Sequence, residues 1–448
     1  MNVSEPCGHF RPAAEDHPAL AKFPAKLFVE VTTRCNMECF MCMKQNPGSG
    51  ICEGDLSEVT FAALKPAFAH LEALILNGVG EPLLHPRLED MIARAKTHMP
   101  ESAWVGFQSN GLLISEKRAR TLVEAGLDRI CLSVDATSPE LFRKVREGGD
   151  IHAVERAMNS LVKARTEQPA SRLEIGMEFV AMRDNLRELP RAIRWAAERG
   201  ASFALITHML PYDEEHAVQA AYPTVTAEAL QLFHKWRDIA RNQGLDIRRY
   251  FKSLIRYATT RSEDEQRLYK LVEQMRNEAV AQGIVLDLRS LMAVDEGLLD
   301  EVAAVFAESR RVAAECGVDL RLPEILPKHQ RSCEFVEEGG AFVAWDGKVY
   351  PCYFLWHRFN CYAMGWEQKV QPKVFGDLNE NGLLDIWNAP AFRDFRAKVI
   401  RYDYPFCSNC AVAPCDLVQA ENFEHDCHAQ SEPCGSCLWC MGLFQCLR

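Results

Sequence analysis

The chain is 448 residues long, with a formal net charge of -11 at pH 7, 48% hydrophobic residues and 18 cysteines. That length provides for two or three domains with a large buried core, and the acidic balance argues against a general nucleic-acid footprint. The opening "MNVSEPCGHFRPAAEDHP" has no apolar h-region, and no later stretch stays apolar for the roughly 18 residues of a membrane helix. A cytoplasmic protein with neither a membrane nor a nucleic-acid partner is therefore expected. The local exception to the acidity, "IRRYFKSLIRYATTR" (247–261), has five basic residues and no acidic one; it reads as a solvated helix face or as a docking surface for an acidic partner.

Residues 1–25 form an N-terminal extension. Residues 26–211 then alternate six apolar runs, "KLFVEVTT", "LEALILNG", "AWVGFQSN", "RICLSVDA", "LEIGMEFVAM" and "FALITHML", with amphipathic patterns such as "NLRELPRAIRWAAERG". Strand followed by helix, repeated, predicts a parallel sheet with crossover helices. Six units fall short of a closed eight-stranded barrel but suit a partial (β/α)6 TIM-like barrel, whose ligands gather at the C-terminal strand ends. Polar stretches fall at those ends: "RCNMECFMC" after the first strand, "NGVGEP" after the second, "QSNG" after the third and "LSVD" after the fourth. His208 ends the sixth, as a substrate-side residue or a structurally satisfied one.

Residues 212–332 read as a mostly helical insertion. "RDIARNQGLDIRR", "RNEAVAQGIVLDLR" and "RRVAAECGVDLRL" share an Ala-x-x-x-Gly frame (Ala240 and Gly244, Ala279 and Gly283, Ala313 and Gly317) followed by alternating apolar residues. Each copy suits a helix, a glycine C-cap and a short strand, from duplication or from chance similarity of alanine-rich helices. From 333 to 448 the composition turns aromatic and cysteine-rich with little periodicity, marking a separate domain that relies on metal cross-links.

Three of the cysteines lie within 35–42 and eleven between Cys333 and Cys446, leaving only Cys7, Cys52, Cys131 and Cys316 elsewhere, as packing residues. In a large chain without a signal peptide, clustering of this kind points to metal ligation rather than disulfides. Cys35, Cys39 and Cys42 have three and then two residues between them and no histidine nearby. Structural zinc takes four ligands, commonly as separated pairs. A cubane iron-sulfur cluster also takes four, so three thiolates leave one iron open to a substrate or cosubstrate.

"CNMECFMC" resembles the Cys-x3-Cys-x2-Cys signature of radical S-adenosylmethionine (SAM) enzymes, in its position after the first barrel strand as well as in its spacing. The resemblance implies that Cys35, Cys39 and Cys42 carry a [4Fe-4S] cluster whose open iron is chelated by SAM. The reduced cluster would cleave SAM to methionine and a 5'-deoxyadenosyl radical that abstracts hydrogen. It further implies that Gly80 and Glu81 of "NGVGEP" meet the SAM ammonium, that Ser109 and Asn110 reach the cofactor, and that Ser133 and Asp135 hold the ribose hydroxyls. The adenine contact before the third cysteine, often aromatic in the family, is Met41 here.

"CEFVEEGGAFVAWDGKVYPC" leaves thirteen residues between Cys333 and Gly347 and four between Gly347 and Cys352, which resembles the opening of a SPASM domain. Trp387 lies in the linking segment as a packing anchor. SPASM domains typically bind two auxiliary [4Fe-4S] clusters, and the implied ligands are Cys333, Cys352, Cys407, Cys410, Cys415, Cys427, Cys434, Cys437 and Cys446. Cys333 and Cys352 are expected in one cluster, Cys407, Cys410 and Cys415 largely in the other, and Cys361 and Cys440 as spares. The spacing after Cys410 departs from the family pattern, and a zinc-ribbon module is the alternative. The expected function is radical modification of a peptide or protein, with a flavodoxin or ferredoxin as reductant. The alternatives are modification of a small-molecule or tetrapyrrole-like cofactor precursor, or an iron-sulfur electron carrier, which would leave "NGVGEP", "QSNG" and "LSVD" without a purpose.

Overall fold

Each of the six apolar runs folds as a strand: β1 (Lys26–Val29), β2 (Ala73–Ile75), β3 (Trp104–Ser109), β4 (Arg129–Ser133), β5 (Glu174–Ala181) and β6 (Phe203–His208). These lie side by side in sequence order, all parallel. Covered by helices on one face and lining the barrel interior with the other, they read as near-continuous apolar runs rather than alternating ones. The computed structural model describes residues 17–448 except 47, 256–259, 409, 413 and 448. Cys7 and part of the basic stretch at 247–261 lie outside the described residues.

The α/β sheet is longer than the six expected strands. β7 (Asp319–Arg321), from the end of the mostly helical segment, pairs parallel with β6. At the other edge β8 (Gly340–Val343) pairs parallel with β1, followed antiparallel by β9 (Lys348–Tyr350) and β10 (Gly376–Asp377). The cysteine-rich segment, read from composition as separate, thus contributes three strands to one ten-stranded sheet in the order β10-β9-β8-β1-β2-β3-β4-β5-β6-β7. Trp387 anchors this segment as expected: it is fully buried, its indole N–H donates to the Ala21 carbonyl at 2.9 Å, and the Arg396 guanidinium lies 3.6 Å from its ring centroid.

The intervening segment holds a core of its own, around Leu230, Phe233, Leu271, Val272 and Met275. Its three Ala-x-x-x-Gly copies end the helices Ala227–Asn242, Glu263–Ala281 and Glu296–Cys316. Gly244, Gly283 and Gly317 all take positive φ, at 73°, 68° and 69°. The next N–H returns to the alanine carbonyl each time, Leu245 to Ala240 at 2.9 Å, Ile284 to Ala279 at 2.8 Å and Val318 to Ala313 at 2.9 Å. The shared frame is thus a Schellman cap, in which glycine supplies the left-handed turn and alanine the buried acceptor. Only the third copy continues into a strand, β7; the first enters a 3-10 turn and the second leads to the helix Leu288–Ala293.

Candidate active site

The C-terminal ends of β1 to β5 converge on the cysteine loop. Glu38–Cys39 forms a two-residue antiparallel ladder with Arg146–Glu147, so that Cys39 sits opposite Arg146. Further hydrogen bonds from Phe40 N–H to the Val145 carbonyl and from Cys42 N–H to the Cys39 carbonyl, both 3.0 Å, fix the loop. Lys44 donates to the Thr33 carbonyl at 2.9 Å, closing the loop on itself. Outside, Phe40 stacks on His216 with ring centroids 4.2 Å apart, and the His216 ring lies 2.8 Å from the Phe40 carbonyl. Met41 joins Val145, Met182 and Met209 in a small apolar wall.

The three thiols are free and share one electrostatic neighbourhood. Burial pushes all three upward, Cys42 to about 11, while the Arg146 guanidinium, 3.7 Å from the Cys39 sulfur, pulls Cys39 back toward the thiolate. Three partly buried, unbridged thiols beside one guanidinium fit a cationic iron-sulfur cluster, which would hold them ionised. Among the described residues no three Cys, His, Asp or Glu side chains converge on a single-ion site; a cubane spaces its ligands more widely than one ion does.

The residues after β2 are moulded to this loop. A Cβ on Gly80 would lie 2.3 Å from the Thr32 carbonyl oxygen, so only glycine fits. Glu81 N–H donates to the Arg34 carbonyl at 2.8 Å. The Glu81 carboxylate, 3% exposed, accepts from the Ser109 hydroxyl and the Asn110 N–H at 2.8 Å each and from the Leu83 N–H at 3.2 Å. Burial still raises its pKa. Three of about four acceptor positions are filled. Asn110 ties β3 to the loop by donating to the Asn36 side-chain oxygen at 2.8 Å.

Asp135, expected to hold the ribose hydroxyls, is engaged within the protein itself. It is fully buried, accepts the Val180 N–H at 2.7 Å and is ion-paired to the Arg146 Nε. The physical reason is Arg146 itself: a guanidinium brought inside the protein needs a counter-charge. Sequence reading missed Arg146, whose signal was the second of two cations inside "KVREGG" beyond the "LSVD" strand. It also missed Glu178 on β5, which the Ser133 hydroxyl meets at 3.5 Å. Burial pushes the Glu178 carboxyl up to about 7, against the pull of Arg146 and a hydrogen bond from Gln108. A third missed group is Glu30, a fully buried carboxylate inside the first apolar run. It accepts the Val79 N–H at 3.1 Å and meets His357 Nε2 at 3.1 and 3.2 Å, linking the "NGVGEP" turn to the C-terminal domain.

His208 is structural. Its ring lies 3.0 Å from the Glu324 carbonyl and packs on Tyr222, and burial holds its pKa down at about 4, so it is neutral.

The C-terminal thiols fall into two neighbourhoods. Cys407 and Cys427 both feel Cys410 and Cys415, while Cys333, Cys352, Cys434, Cys437 and Cys440 influence one another. Cys440 donates its S–H to the Cys437 carbonyl at 3.0 Å, and the Cys361 thiol meets Gln368 at 4.0 Å. Cys446, expected as a ligand, lines one cavity with Cys333 and another at the barrel mouth with Asn77, Gln108, Tyr353 and Trp439; the chain end folds back over β6, where Gln445 N–H donates to the Thr207 hydroxyl at 3.1 Å.

Residues 29–196 match the model of the radical SAM superfamily, and residues 333–411 that of SPASM, an iron-sulfur cluster-binding domain. The "tungsten-containing aldehyde ferredoxin oxidoreductase cofactor-modifying protein" of Pyrococcus furiosus is 26% identical over 425 residues, spanning 94% of this chain and 96% of that protein. A "probable GTP 3',8-cyclase" of Methanocaldococcus jannaschii is 29% identical over 193 residues, 42% of this chain and 60% of that protein. The solved structure of anSMEcpe with bound AdoMet is 17% identical, with a TM-score of 0.47, covering 89% of this chain and 85% of that one. Among the described residues no helix is long and apolar enough to cross a membrane. The chain belongs to the radical SAM superfamily, in the branch carrying a SPASM domain, and is an enzyme whose cofactors are SAM and iron-sulfur clusters.

Proposed function

We propose that the chain uses radical SAM chemistry to modify a small cofactor or cofactor precursor, ahead of the peptide or protein substrate that the branch alone suggests. The carrying observation is the Pyrococcus relative, named for cofactor modification, which aligns over 94% of this chain and so through the helical segment that neither family model covers. When bound, the reduced cluster supplies the electron that cleaves SAM. Cys35, Cys39 and Cys42 hold that cluster. Arg146, fixed by Asp135, faces Cys39 with a positive charge, and Glu81, Ser109 and Asn110 shape the turn that receives the SAM amino group. Met41 forms part of an apolar wall for the adenine, and Ser133 with Glu178 replaces Asp135 as the polar lining at the ribose. Cys407, Cys410, Cys415 and Cys427 form one auxiliary ligand set, and Cys333, Cys352, Cys434 and Cys437 the other. A small redox protein of the flavodoxin or ferredoxin type serves as reductant.

The test uses anaerobically reconstituted enzyme with SAM, dithionite and cell extract from a strain lacking the gene. Extract is expected to stimulate 5'-deoxyadenosine formation, and to keep doing so after exhaustive proteolysis. Stimulation lost on proteolysis assigns a peptide or protein substrate instead.

A further inference from the structure

The two auxiliary thiol sets meet at one backbone contact. Cys407 N–H donates to the Gly435 carbonyl at 3.1 Å, between Cys434 and Cys437, and a Cβ on Gly435 would lie 2.7 Å from the Pro405 carbonyl oxygen. Segments 405–407 and 434–437 are thus packed backbone against backbone. Two charged side chains of opposite sign are fixed beside this junction, one on each side of it.

Arg331 stands on the side of Cys333 and Cys437. Its neighbour Ser332 donates its N–H to the Cys440 carbonyl at 2.9 Å. The Arg331 guanidinium donates to the Pro405 carbonyl at 2.9 Å and the Tyr404 carbonyl at 2.5 Å, and lies 4.3 Å from the Phe406 ring centroid. The Pro405 oxygen that it binds is the one in contact with Gly435, so the cation is held at the edge of the Cys434–Cys437 turn. Both of its acceptors are backbone groups, and it makes no ion pair among the described residues. Its charge bears on the Cys437 and Cys440 sulfurs.

Asp426 stands on the other side. Only 2% exposed, it accepts the His428 and Gln430 N–H groups at 2.8 and 3.0 Å through one oxygen, while the second oxygen has no partner among the described residues. No cation pairs with it there either, and its charge bears on Cys407 and Cys427. A thiolate-ligated cluster becomes more negative on reduction. A fixed cation beside it therefore favours the reduced form and a fixed anion disfavours it, most strongly where water is excluded.

We infer that Arg331 and Asp426 set the two auxiliary clusters apart in reduction potential, Arg331 raising the one held by Cys333, Cys352, Cys434 and Cys437, and Asp426 lowering the one held by Cys407, Cys410, Cys415 and Cys427. Each acts through a cluster and is a positioning residue. The inference rests on the ligand sets proposed above. Cys427 is exposed whereas Cys352 and Cys437 are buried, and burial alone would make the inner cluster the harder to reduce. The two charges oppose that bias and favour an electron on the inner side of the junction.

The experiment is a potentiometric titration of reconstituted enzyme, followed by electron paramagnetic resonance with and without SAM. Signals that SAM leaves unchanged belong to the auxiliary clusters, and the one lost in Cys434→Ser, together with about four irons, is that of the Arg331 side. Arg331→Met should disfavour its reduction by about tenfold, a fall of about 59 mV in a one-electron midpoint, with iron content unchanged. Asp426→Asn, which keeps an oxygen for the His428 and Gln430 N–H groups, should raise the other midpoint by a similar factor. Arg331→Lys keeps the charge but gives up the paired donation, so its midpoint should stay near that of the unaltered enzyme. Where Arg331→Met releases iron, Arg331→Gln is read in its place. An unmoved midpoint in either neutral variant, a shift of the opposite sign, or a Lys variant displaced as far as the Met variant would overturn the inference. Cys434→Ser retaining all its iron refutes the ligand sets and the inference with them, whereas the expected iron loss beside unmoved midpoints refutes the inference alone.

Discussion

The N-terminal cysteine loop and the C-terminal cysteine field do comparable work by opposite means. The loop places Cys35, Cys39 and Cys42 within eight residues, directly after β1, pinned by its short ladder with Arg146–Glu147. The field spreads eleven cysteines from 333 to 446 and brings them together through a chain that crosses from β8 to the far end of the sheet and back over β6. Local spacing therefore specifies the first site. In the second, one stretch such as "PCGSCLWCMGLFQC" supplies Cys434, Cys437 and Cys440 to one neighbourhood and sets Cys446 between Cys333 and the barrel mouth.

The largest effect expected from breaking this contrast is replacement of Cys35, Cys39 and Cys42 by alanine together. 5'-Deoxyadenosine formation should vanish while about eight of about twelve irons remain, because the field does not depend on the loop; loss of all iron would show the two to be one unit. Next comes Arg146→Met, which leaves Asp135 charged and unpaired in the interior. A loss on the order of 3–5 kcal/mol is expected, seen as a lower denaturant midpoint, with cluster loss confined to the N-terminal site.

Gly80→Ala sharpens the local side of the comparison. Its methyl group would collide with the Thr32 carbonyl, so SAM affinity should fall by about tenfold or more with iron content unchanged; normal affinity would mean that the turn relaxes freely. On the long-range side, Cys434→Ser should release about four irons and Cys446→Ser none, as measured by iron and sulfide content. Equal losses would return Cys446 to the ligand set.

The smallest effect is a pH slope. The Glu178 carboxyl is held up to about 7 by burial, above the unfolded value of about 4.3. Between those two values the folded chain keeps a proton that the unfolded chain has released, so the Glu178 contribution to stability is full below the lower value and is lost as pH rises through the upper one. Glu178→Gln should flatten the decline in denaturant midpoint from about pH 4.5 to 7. An unchanged slope would show that other groups dominate, such as His208, which is held neutral and acts in the opposite direction on acidification.

The sequence by itself determined what depends on short range: six strand runs, the glycine-capped helices, the three-thiol loop and the polar motifs at the strand ends. Their periodicity, turn chemistry and spacing act over a few residues. Tertiary structure alone decided that the cysteine-rich segment extends the same sheet through β8, that Asp135 is spent on Arg146, and that Glu30 reaches His357. It also decided which thiols share a neighbourhood and which one, Cys446, faces the cavity. Those outcomes turn on where a buried charge finds its counter-charge and where a chain end finds room, and both are set by residues distant in the chain.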